Sequence, residues 1–343
     1  MSRGRVLITG ATGMVGTLVS KRAIEDGYQV RAMVRPTSNL GPLDGLEIER
    51  VEADLSNPES LPAALEDVDF VVNTAAHVGD WGPAEKFRAI NVVALEAMLI
   101  AARKQGRLKR WVQISSLGVY AAKHHHGTDE TTPPDLSGLD GYTQTKAEAE
   151  VLLNRYIKDF DFPATIIRPG FIYGPGDRHV VPRIIERLSA GQMKLIGDGE
   201  KLLNNTYAGN LTDAIMLALE KDAAIGETFN IRDERLVSRK EFVGAIADFM
   251  GQPMPKHVPE WLARSAVGFI EGFAKLRGAT SAPLLTNARI KFLTLNLDFS
   301  IEKAKRLLGY QPQTDFKEGM RSALEWAASE NLIPQSESAP SKM

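Results

Sequence analysis

A glycine-rich turn between a predicted strand and a predicted helix constrains the fold more than any other feature. Arg5–Thr9 is a short apolar run, Gly10–Gly16 follows the spacing Gly-x-x-Gly-x-x-Gly, and Thr17–Gly27 has helical periodicity. Glycines permit the tight turn and let the backbone approach a pyrophosphate, whose charge meets unpaired N–H groups at the helix N-terminus. The turn therefore predicts a dinucleotide site. Its expected contacts are Gly10, Thr12, Gly13, Met14, Val15 and Gly16.

The first half of the chain alternates between strands and helices. The further predicted strands are Tyr28–Arg35, Glu47–Glu52, Asp69–Asn73, Arg110–Ser115 and Ala164–Arg168, and the helices are Pro58–Glu66 and Ala84–Gln105. This alternation predicts an α/β fold in which helices cover both faces of a parallel, doubly wound sheet. Beyond Gly174 the alternation weakens. We therefore predict a dinucleotide-binding domain over 1–175, a smaller, partly interleaved substrate lobe over 176–333, and a disordered tail over 334–343.

Composition narrows the classes of function. The 343 residues carry a net charge of −2 and include no cysteine. Disulfides, thiolate catalysis and cysteine zinc sites are therefore excluded, and no broad basic face is expected for nucleic acid. The sequence shows neither a signal-peptide pattern nor an apolar run long enough to cross a bilayer, so we expect a cytoplasmic protein. Consecutive histidines point apart in regular structure, so His124–His126 predicts a solvated loop and no metal site.

Two residues four positions apart suggest acid–base chemistry. If a helix begins at Tyr142, the Tyr142 phenol and the Lys146 ammonium lie on one face of it. A free phenol has a pKa of about 10, so proton transfer near neutrality needs a cation that stabilises the phenolate. Lys146 can supply that charge. Ser116 lies at the end of the strand predicted from Arg110, just before Leu117-Gly118-Val119-Tyr120.

The glycine turn, the serine strand and the Tyr-x-x-x-Lys pair, in this order, resemble the extended short-chain dehydrogenases/reductases of the epimerase/dehydratase superfamily. The matching motifs run from Gly10 to about Gly176, and looser similarity continues to about Trp326. The resemblance implies a Rossmann domain. It also implies that Ser116 polarises the substrate oxygen, that Tyr142 exchanges the proton, and that Lys146 holds the nicotinamide ribose as well.

The resemblance implies further cofactor contacts. They are Asp54, Leu55, Ala75, Ala76 and Pro169. It also matches Asn91, within a predicted helix, to a family asparagine that shapes the site. Asp54 could instead cap the helix that starts near Pro58, and Asn91 could be a buried structural asparagine.

Arg35 bears on which nicotinamide cofactor binds. In Rossmann folds an acidic residue at the end of the second strand binds the ribose hydroxyls of NAD, whereas an arginine there binds the 2′-phosphate of NADP. The planar guanidinium of Arg35 suits phosphate, and such an arginine resembles the NADP site of the plant flavonoid reductases. We therefore predict NADP. Arg35 could also be a solvated strand end or stack on adenine, which would leave NAD possible.

Several positions discriminate among the reactions of the superfamily. Dehydratases carry an Asp-Glu pair where this chain has Leu117-Gly118, and neither of these residues moves a proton. Nucleotide-sugar epimerases usually have an asparagine where this chain has Phe171, and Leu202–Tyr207 lacks the basic residue expected against a diphosphate. Silent redox sensors generally lose the Tyr-x-x-x-Lys pair, which is present here. Epimerase and sensor functions remain alternatives to alcohol/ketone oxidoreduction on a small apolar substrate.

Three further stretches, His77–Gly82, Arg168–Asp177 and Gly197–Gly199, are similar to the branch of 3β-hydroxysteroid dehydrogenases and 2-alkyl-3-oxoalkanoate reductases. This similarity implies substrate contacts at His77, Trp81, Phe171 and Tyr173, although each could be ordinary packing. Trp261–Leu276 has apolar residues at helical spacing and predicts a lid over an apolar cleft, with a membrane-surface helix as the alternative. The family resemblance also suggests a homodimer through helices at Ala84–Gln105 and Tyr142–Tyr156.

Overall fold

The computed structural model describes residues 2–79, 81–138, 140–265, 267 and 286–334. Its strands are β1 (Arg5–Thr9), β2 (Gln29–Val34), β3 (Ile48–Glu52), β4 (Phe70–Asn73), β5 (Arg110–Ile114), β6 (His125–Thr128), β7 (Ala164–Pro169), β8 (Phe171–Tyr173), β9 (Lys194–Ile196), β10 (Leu202–Leu203), β11 (Asn205–Tyr207), β12 (Thr228–Ile231), β13 (Val237–Ser238), β14 (Lys256–Val258) and β15 (Leu297–Phe299).

Its α-helices are α1 (Met14–Glu25), α2 (Leu61–Ala64), α3 (Ala84–Arg88), α4 (Ala94–Gln105), α5 (Gly141–Phe160), α6 (Val181–Ser189), α7 (Ala208–Glu220), α8 (Arg239–Phe249), α9 (Asn287–Thr294), α10 (Glu302–Leu308) and α11 (Phe316–Ser329). A π-helical segment, Ala89–Val93, joins α3 to α4, and a 3₁₀ turn, Leu117–Val119, follows β5.

Seven parallel strands form the central sheet in the order β12-β7-β5-β4-β1-β2-β3. The chain crosses from one half of the sheet to the other between β1 and β4. In this fold ligands bind at such a crossing, beyond the carboxyl ends of the strands. Thr9 at the end of β1 pairs with Asn73 at the end of β4, so both strands end level there. The predicted doubly wound α/β fold is confirmed.

Helices bury both faces of the sheet, which is why its strands are almost continuously apolar. On one face α1 and α7 pack with α10 over residues such as Ile8 and Phe229. On the other face α2, α4 and α5 cover residues such as Val71 and Trp111. The helices thus cover both faces of the sheet. Polar residues concentrate at the carboxyl edge of the strands, which the helices leave uncovered.

A second apolar core lies mostly in the chain after β8, although Leu117, Val119, Tyr120 and Ala147 also belong to it. Short strands and helices α6, α8 and α11 surround Tyr173, Phe242 and Phe316, all of which are fully buried. The chain also returns to the central sheet after β8, because β12 pairs with β7 at its edge. The two parts of the chain therefore share one sheet.

Some local predictions were wrong. The segment His124–His126 was predicted as a solvated loop, but it lies at β6, which pairs with the distant β15. His125 lies in β6 and is 2% exposed, so this histidine is buried rather than solvated. The strands β12 and β14 were not predicted.

Two predictions fall largely outside the described residues. Of the predicted tail only Pro334 is described, and of Trp261–Leu276 only 261–265 and 267 are described. Within that part Val267 is buried against Ala263 and Ile290. As for the membrane, no described helix combines the length and the apolar character that a bilayer crossing requires.

Candidate active site

The glycine turn forms a backbone cradle at the N-terminus of α1. Gly10 has a φ of +63°, and a Cβ there would lie 2.7 Å from Thr74 Oγ1. A Cβ on Gly16 would overlap the carbonyl oxygen of Gly10, so the helix can start this close to the turn only with glycine. Gly13 is the N-cap, and no side chain caps the helix. The first-turn N–H groups of α1 are thus left for an anion, which fits a pyrophosphate.

A buried polar network holds the strand ends behind this cradle. Thr9 Oγ1 donates to Asn73 Oδ1 at 2.5 Å, and Asn73 Nδ2 donates to Gln113 Oε1 at 2.9 Å. Thr74 Oγ1 donates to the Thr9 carbonyl at 2.6 Å, and the Ala75 amide donates to Thr9 Oγ1 at 3.1 Å. These bonds fix the loop that carries Ala75 and Ala76 beside the glycine turn.

Capping bonds set the positions of Ser116 and Tyr142. Ser116 directly follows Ser115 at the end of β5, and its Oγ accepts a hydrogen bond from the Gly118 amide at 3.0 Å. Asp140 caps α5, accepting from the Thr143 amide at 2.8 Å, so Tyr142 lies in the first turn of the helix. Lys146 is one turn further along and is 4% exposed. The structure thus brings Ser116, Tyr142 and Lys146 to one site, as their predicted roles require.

Burial dominates the protonation of this site. It raises the pKa of Tyr142 to about 12, and the opposing effect comes from the hydrogen bond with Ser116 rather than from Lys146. Burial also lowers the pKa of Lys146 to about 8, while the negative charge of Glu150 acts in the other direction. Lys146 Nζ lies 5.9 Å from the centroid of the Tyr142 ring and donates to the Ile114 carbonyl at 2.7 Å. At neutral pH the phenol therefore holds a proton that it can donate.

Asn91 lies in the π-helical segment and joins two parts of the site. Its Oδ1 accepts from the His77 amide at 2.8 Å, and its Nδ2 donates to the His77 carbonyl and to Thr145 Oγ1, at 3.1 Å and 3.0 Å. A π-turn widens a helix locally and is frequent at functional sites. Asn91 therefore ties the loop after β4 to helix α5, which carries Tyr142 and Lys146, through buried and partly buried hydrogen bonds.

A buried ion pair behind α5 was not predicted from the sequence. Arg168 and Glu150 are 3% and 0% exposed, and Arg168 Nε and Nη2 donate to Glu150 at 2.9 Å and 2.5 Å. Ser115 Oγ donates to the same carboxylate at 2.5 Å. Arg168 Nη1 also donates to the Tyr120 hydroxyl at 2.7 Å. The sequence contained a signal that Glu150 lies near the site, because Glu150 follows Lys146 by one helical turn.

The end of β2 carries the predicted NADP determinant. Arg35 is exposed there, and its amide donates to Ser38 Oγ at 3.0 Å. The Asp54 carboxylate accepts from the Ser56 amide at 2.8 Å, and this bond lowers the pKa of Asp54, with a smaller contribution from the positive charge of Arg35. This bond closes a local turn at Ser56 and does not cap the 3₁₀ turn that begins at Pro58, whose N-cap is Asn57.

The predicted substrate residues lie in different surroundings. His77 is exposed beside Phe87, with ring centroids 4.6 Å apart, and Trp81 is half-buried. Tyr173 is fully buried and its hydroxyl donates to Asp233 at 3.0 Å, so the structure gives it a packing role instead of a substrate contact. Phe171 lines an apolar cavity, which the other three residues do not line.

That cavity lies in the second lobe and has a volume of about 550 Å³. Its walls are largely apolar and include Phe171, Leu195, Leu203, Phe242, Val243 and Phe292. Ser116, Tyr142 and Lys146 do not line it. Phe171 follows β7 by two residues, so the cavity begins near the carboxyl edge of the sheet and extends into the second lobe.

Comparison with known proteins gives a consistent result. Residues 6–231 match the family described as "NAD dependent epimerase/dehydratase family". The chain is 29% identical over 327 residues to a 2-alkyl-3-oxoalkanoate reductase from Shewanella oneidensis, covering 92% of this chain and 84% of that protein.

A second relative is a 3 beta-hydroxysteroid dehydrogenase/Delta 5-->4-isomerase from Mycobacterium tuberculosis, 30% identical over 342 residues, which are 95% of this chain and 91% of that protein. Among solved structures, an epimerase from Methanothermobacter thermautotrophicus is similar with a TM-score of 0.79 at 24% identity, covering 98% of this chain and 95% of the other. At that identity the structural likeness supports the fold.

Proposed function

Because the chain belongs to the NAD dependent epimerase/dehydratase family, we propose that it is an NAD(P)-dependent dehydrogenase/reductase that interconverts a hydroxyl and a ketone on an apolar substrate. The observation that carries this proposal is the apolar cavity of about 550 Å³ beside Phe171, in the half of the chain that follows the cofactor motifs. Its volume is typical of sites for drug-sized ligands. The names of the reductase and steroid dehydrogenase relatives support the same substrate class.

The glycine cradle would hold the cofactor's pyrophosphate. The nicotinamide, when bound, supplies or accepts the hydride. Tyr142 would donate its proton to the substrate oxygen during ketone reduction and take it back during alcohol oxidation. Ser116, already hydrogen-bonded to the phenol, would orient that oxygen. Lys146, one helical turn beyond Tyr142 with its ammonium 5.9 Å from the centroid of the phenol ring, would hold the nicotinamide ribose.

We assign NADP as the preferred cofactor. Arg35 is exposed at the end of β2, the position at which a Rossmann fold meets the adenine ribose. Its guanidinium can make paired, charge-assisted hydrogen bonds to a 2′-phosphate. The neighbouring Asp54 is already engaged by Ser56, so it competes less for Arg35.

A homologous series of neutral 3-oxo esters tests the substrate class. Burial of each methylene contributes about 0.8 kcal/mol, so kcat/KM should rise about three- to fourfold per added carbon until the cavity is full. Calorimetry with UDP-glucose and GDP-mannose is the control and should detect no binding. Micromolar affinity for a UDP-sugar, or activity independent of chain length, would contradict the proposal and favour the epimerase alternative.

A further inference from the structure

Arg239 places a buried positive charge in the wall of the cavity. The residue is 7% exposed, and within the described part of the chain its guanidinium donates only to the backbone carbonyls of Lys201, Leu202 and Phe292. Its Nε is buried and has no hydrogen-bond partner among the described residues. Burial lowers the pKa of Arg239 to about 10, which leaves it charged at neutral pH. A buried charge normally has a counterion, because removing it from water is costly.

Arg183 and Arg187 add to this charge from helix α6. They are one helical turn apart and both line the cavity. Neither guanidinium makes an ion pair or a side-chain hydrogen bond within the described part of the chain. The pKa of Arg187 is lowered first by burial and then by the positive charges of Arg183 and Arg289. Like charges at this spacing destabilise a helix, so the arrangement costs free energy unless something compensates it.

The charge of these arginines is not balanced by an acidic residue in the described lining of the cavity. That lining also includes Lys194, and it contains neither aspartate nor glutamate. The whole chain has a net charge of −2, so the excess of positive charge is a local property of this apolar cavity. Such a lining suits a ligand that is apolar over most of its length and negatively charged in one place.

We propose that the cavity binds an anionic amphiphile through Arg183, Arg187 and Arg239, with its acidic group remote from the carbon that reacts. The remote placement follows from geometry, since the arginines line a cavity that Ser116, Tyr142 and Lys146 do not reach. Phe171, two residues after β7, also lines the cavity and would contact the apolar body. The acid can be a carboxylate or a phosphate, as both accept paired bonds from a guanidinium. This inference rests on the proposed function, because it takes the amphiphile to be the substrate.

Direct binding to the full-length protein tests the anion site. The probes are decanoate, decyl phosphate and neutral decan-1-ol, each titrated calorimetrically below its aggregation limit. Charge-assisted bonds are strong enough to favour the anions about tenfold or more over the alcohol. Arg187→Met should bring decanoate close to the affinity of the alcohol. Arg306→Met, which removes an exposed arginine outside the cavity, should leave all three affinities unchanged.

Arg187 is a better first target than Arg239, whose three bonds to carbonyls also support the fold. Equal affinities for decanoate and the alcohol, or decanoate binding that survives the double variant Arg183→Met/Arg187→Met, would overturn the inference. The preferred acidic group, carboxylate or phosphate, is identified by which of decanoate and decyl phosphate binds with the lower dissociation constant.

Turnover separates this inference from the proposed function. A long-chain methyl ketone with a carboxylate at its far end should be reduced with at least tenfold higher kcat/KM than the neutral ketone of equal length. If both ketones are reduced equally, the anion site is wrong and the proposed function stands. If neither ketone is reduced although decanoate binds through Arg187, the proposed reductase function is wrong, and the anionic amphiphile is a ligand of the cavity but not a substrate.

Discussion

Two buried arginines in this molecule differ in what neutralises them. Arg168, behind helix α5, faces Glu150 and the Tyr120 hydroxyl, and the hydrogen bonds of its guanidinium to described residues all end on these two side chains. Arg239, in the cavity wall, donates to three backbone carbonyls and to no carboxylate of the described residues. Both residues are less than a tenth exposed.

The difference lies in whether the surroundings supply a counterion. Arg168 has the carboxylate of Glu150. The described lining of the cavity has positively charged side chains and no aspartate or glutamate, so these residues do not neutralise the charge of Arg239. Three substitutions test this contrast.

The largest effect is expected from Tyr142→Phe. Loss of the proton path should reduce turnover by about 10²- to 10⁴-fold, the usual contribution of general acid–base catalysis. Affinity for NADPH and for decanoate should stay within a few-fold, because the cradle and the cavity are untouched. Steady-state kinetics and calorimetry measure both quantities. Turnover near that of the wild type would show that Tyr142 is not the proton donor.

Glu150→Gln should cost about 3–5 kcal/mol of unfolding free energy, because it leaves the buried charge of Arg168 unpaired. Arg168 would then lack a carboxylate partner, as Arg239 does among the described residues. Urea unfolding followed by circular dichroism measures the change. Glu148→Gln is the matched control on the same helix, since Glu148 pairs with the partly exposed Arg88 and its loss should cost only about 0–1 kcal/mol. Equal losses for both variants would contradict the distinction between the two environments.

The smallest effect on stability is expected from Arg35→Ala, at most about 0.5 kcal/mol, because Arg35 is exposed. Its effect should appear in cofactor binding. NADPH should bind about tenfold more weakly, as expected when a charge-assisted bond is lost, and NADH should change little. Quenching of intrinsic fluorescence by each cofactor provides the dissociation constants. Equal weakening of both cofactors would mean that Arg35 stacks or packs and does not recognise the 2′-phosphate.

Local signals were sufficient to predict the sheet, the glycine turn and the approximate bounds of most helices. Each depends on periodicity, glycine or capping within about 15 residues, which the sequence displays directly. Pairings between distant segments were missed because no pattern within a short stretch of sequence shows them. The strand β12 is four residues long and joins the sheet only because β7 offers an edge, and β6 exists only because β15 pairs with it.

The candidate site divides in the same way. The Tyr142–Lys146 spacing and the glycine turn are contiguous motifs, whereas the arginines of the cavity come from separate helices. The sequence-based search for an anion site looked for a basic residue at Leu202–Tyr207 and did not consider Arg183 and Arg187. Their spacing on α6 was a usable signal. Tyr173 was predicted as a substrate contact from the family resemblance. Its burial was missed because it depends on packing that no local pattern shows.

The pairing of β12 with β7 also has a consequence for biosynthesis. The predicted cofactor domain ends at residue 175, but β12, the strand that completes the central sheet, is Thr228–Ile231. A nascent chain, or a fragment cut after 175, would present β7 as an edge with unpaired N–H and C=O groups. Such edges promote aggregation of partly folded chains. The first half is therefore not an independent folding unit during translation, and the ribosome must release more than two thirds of the chain before the sheet can close.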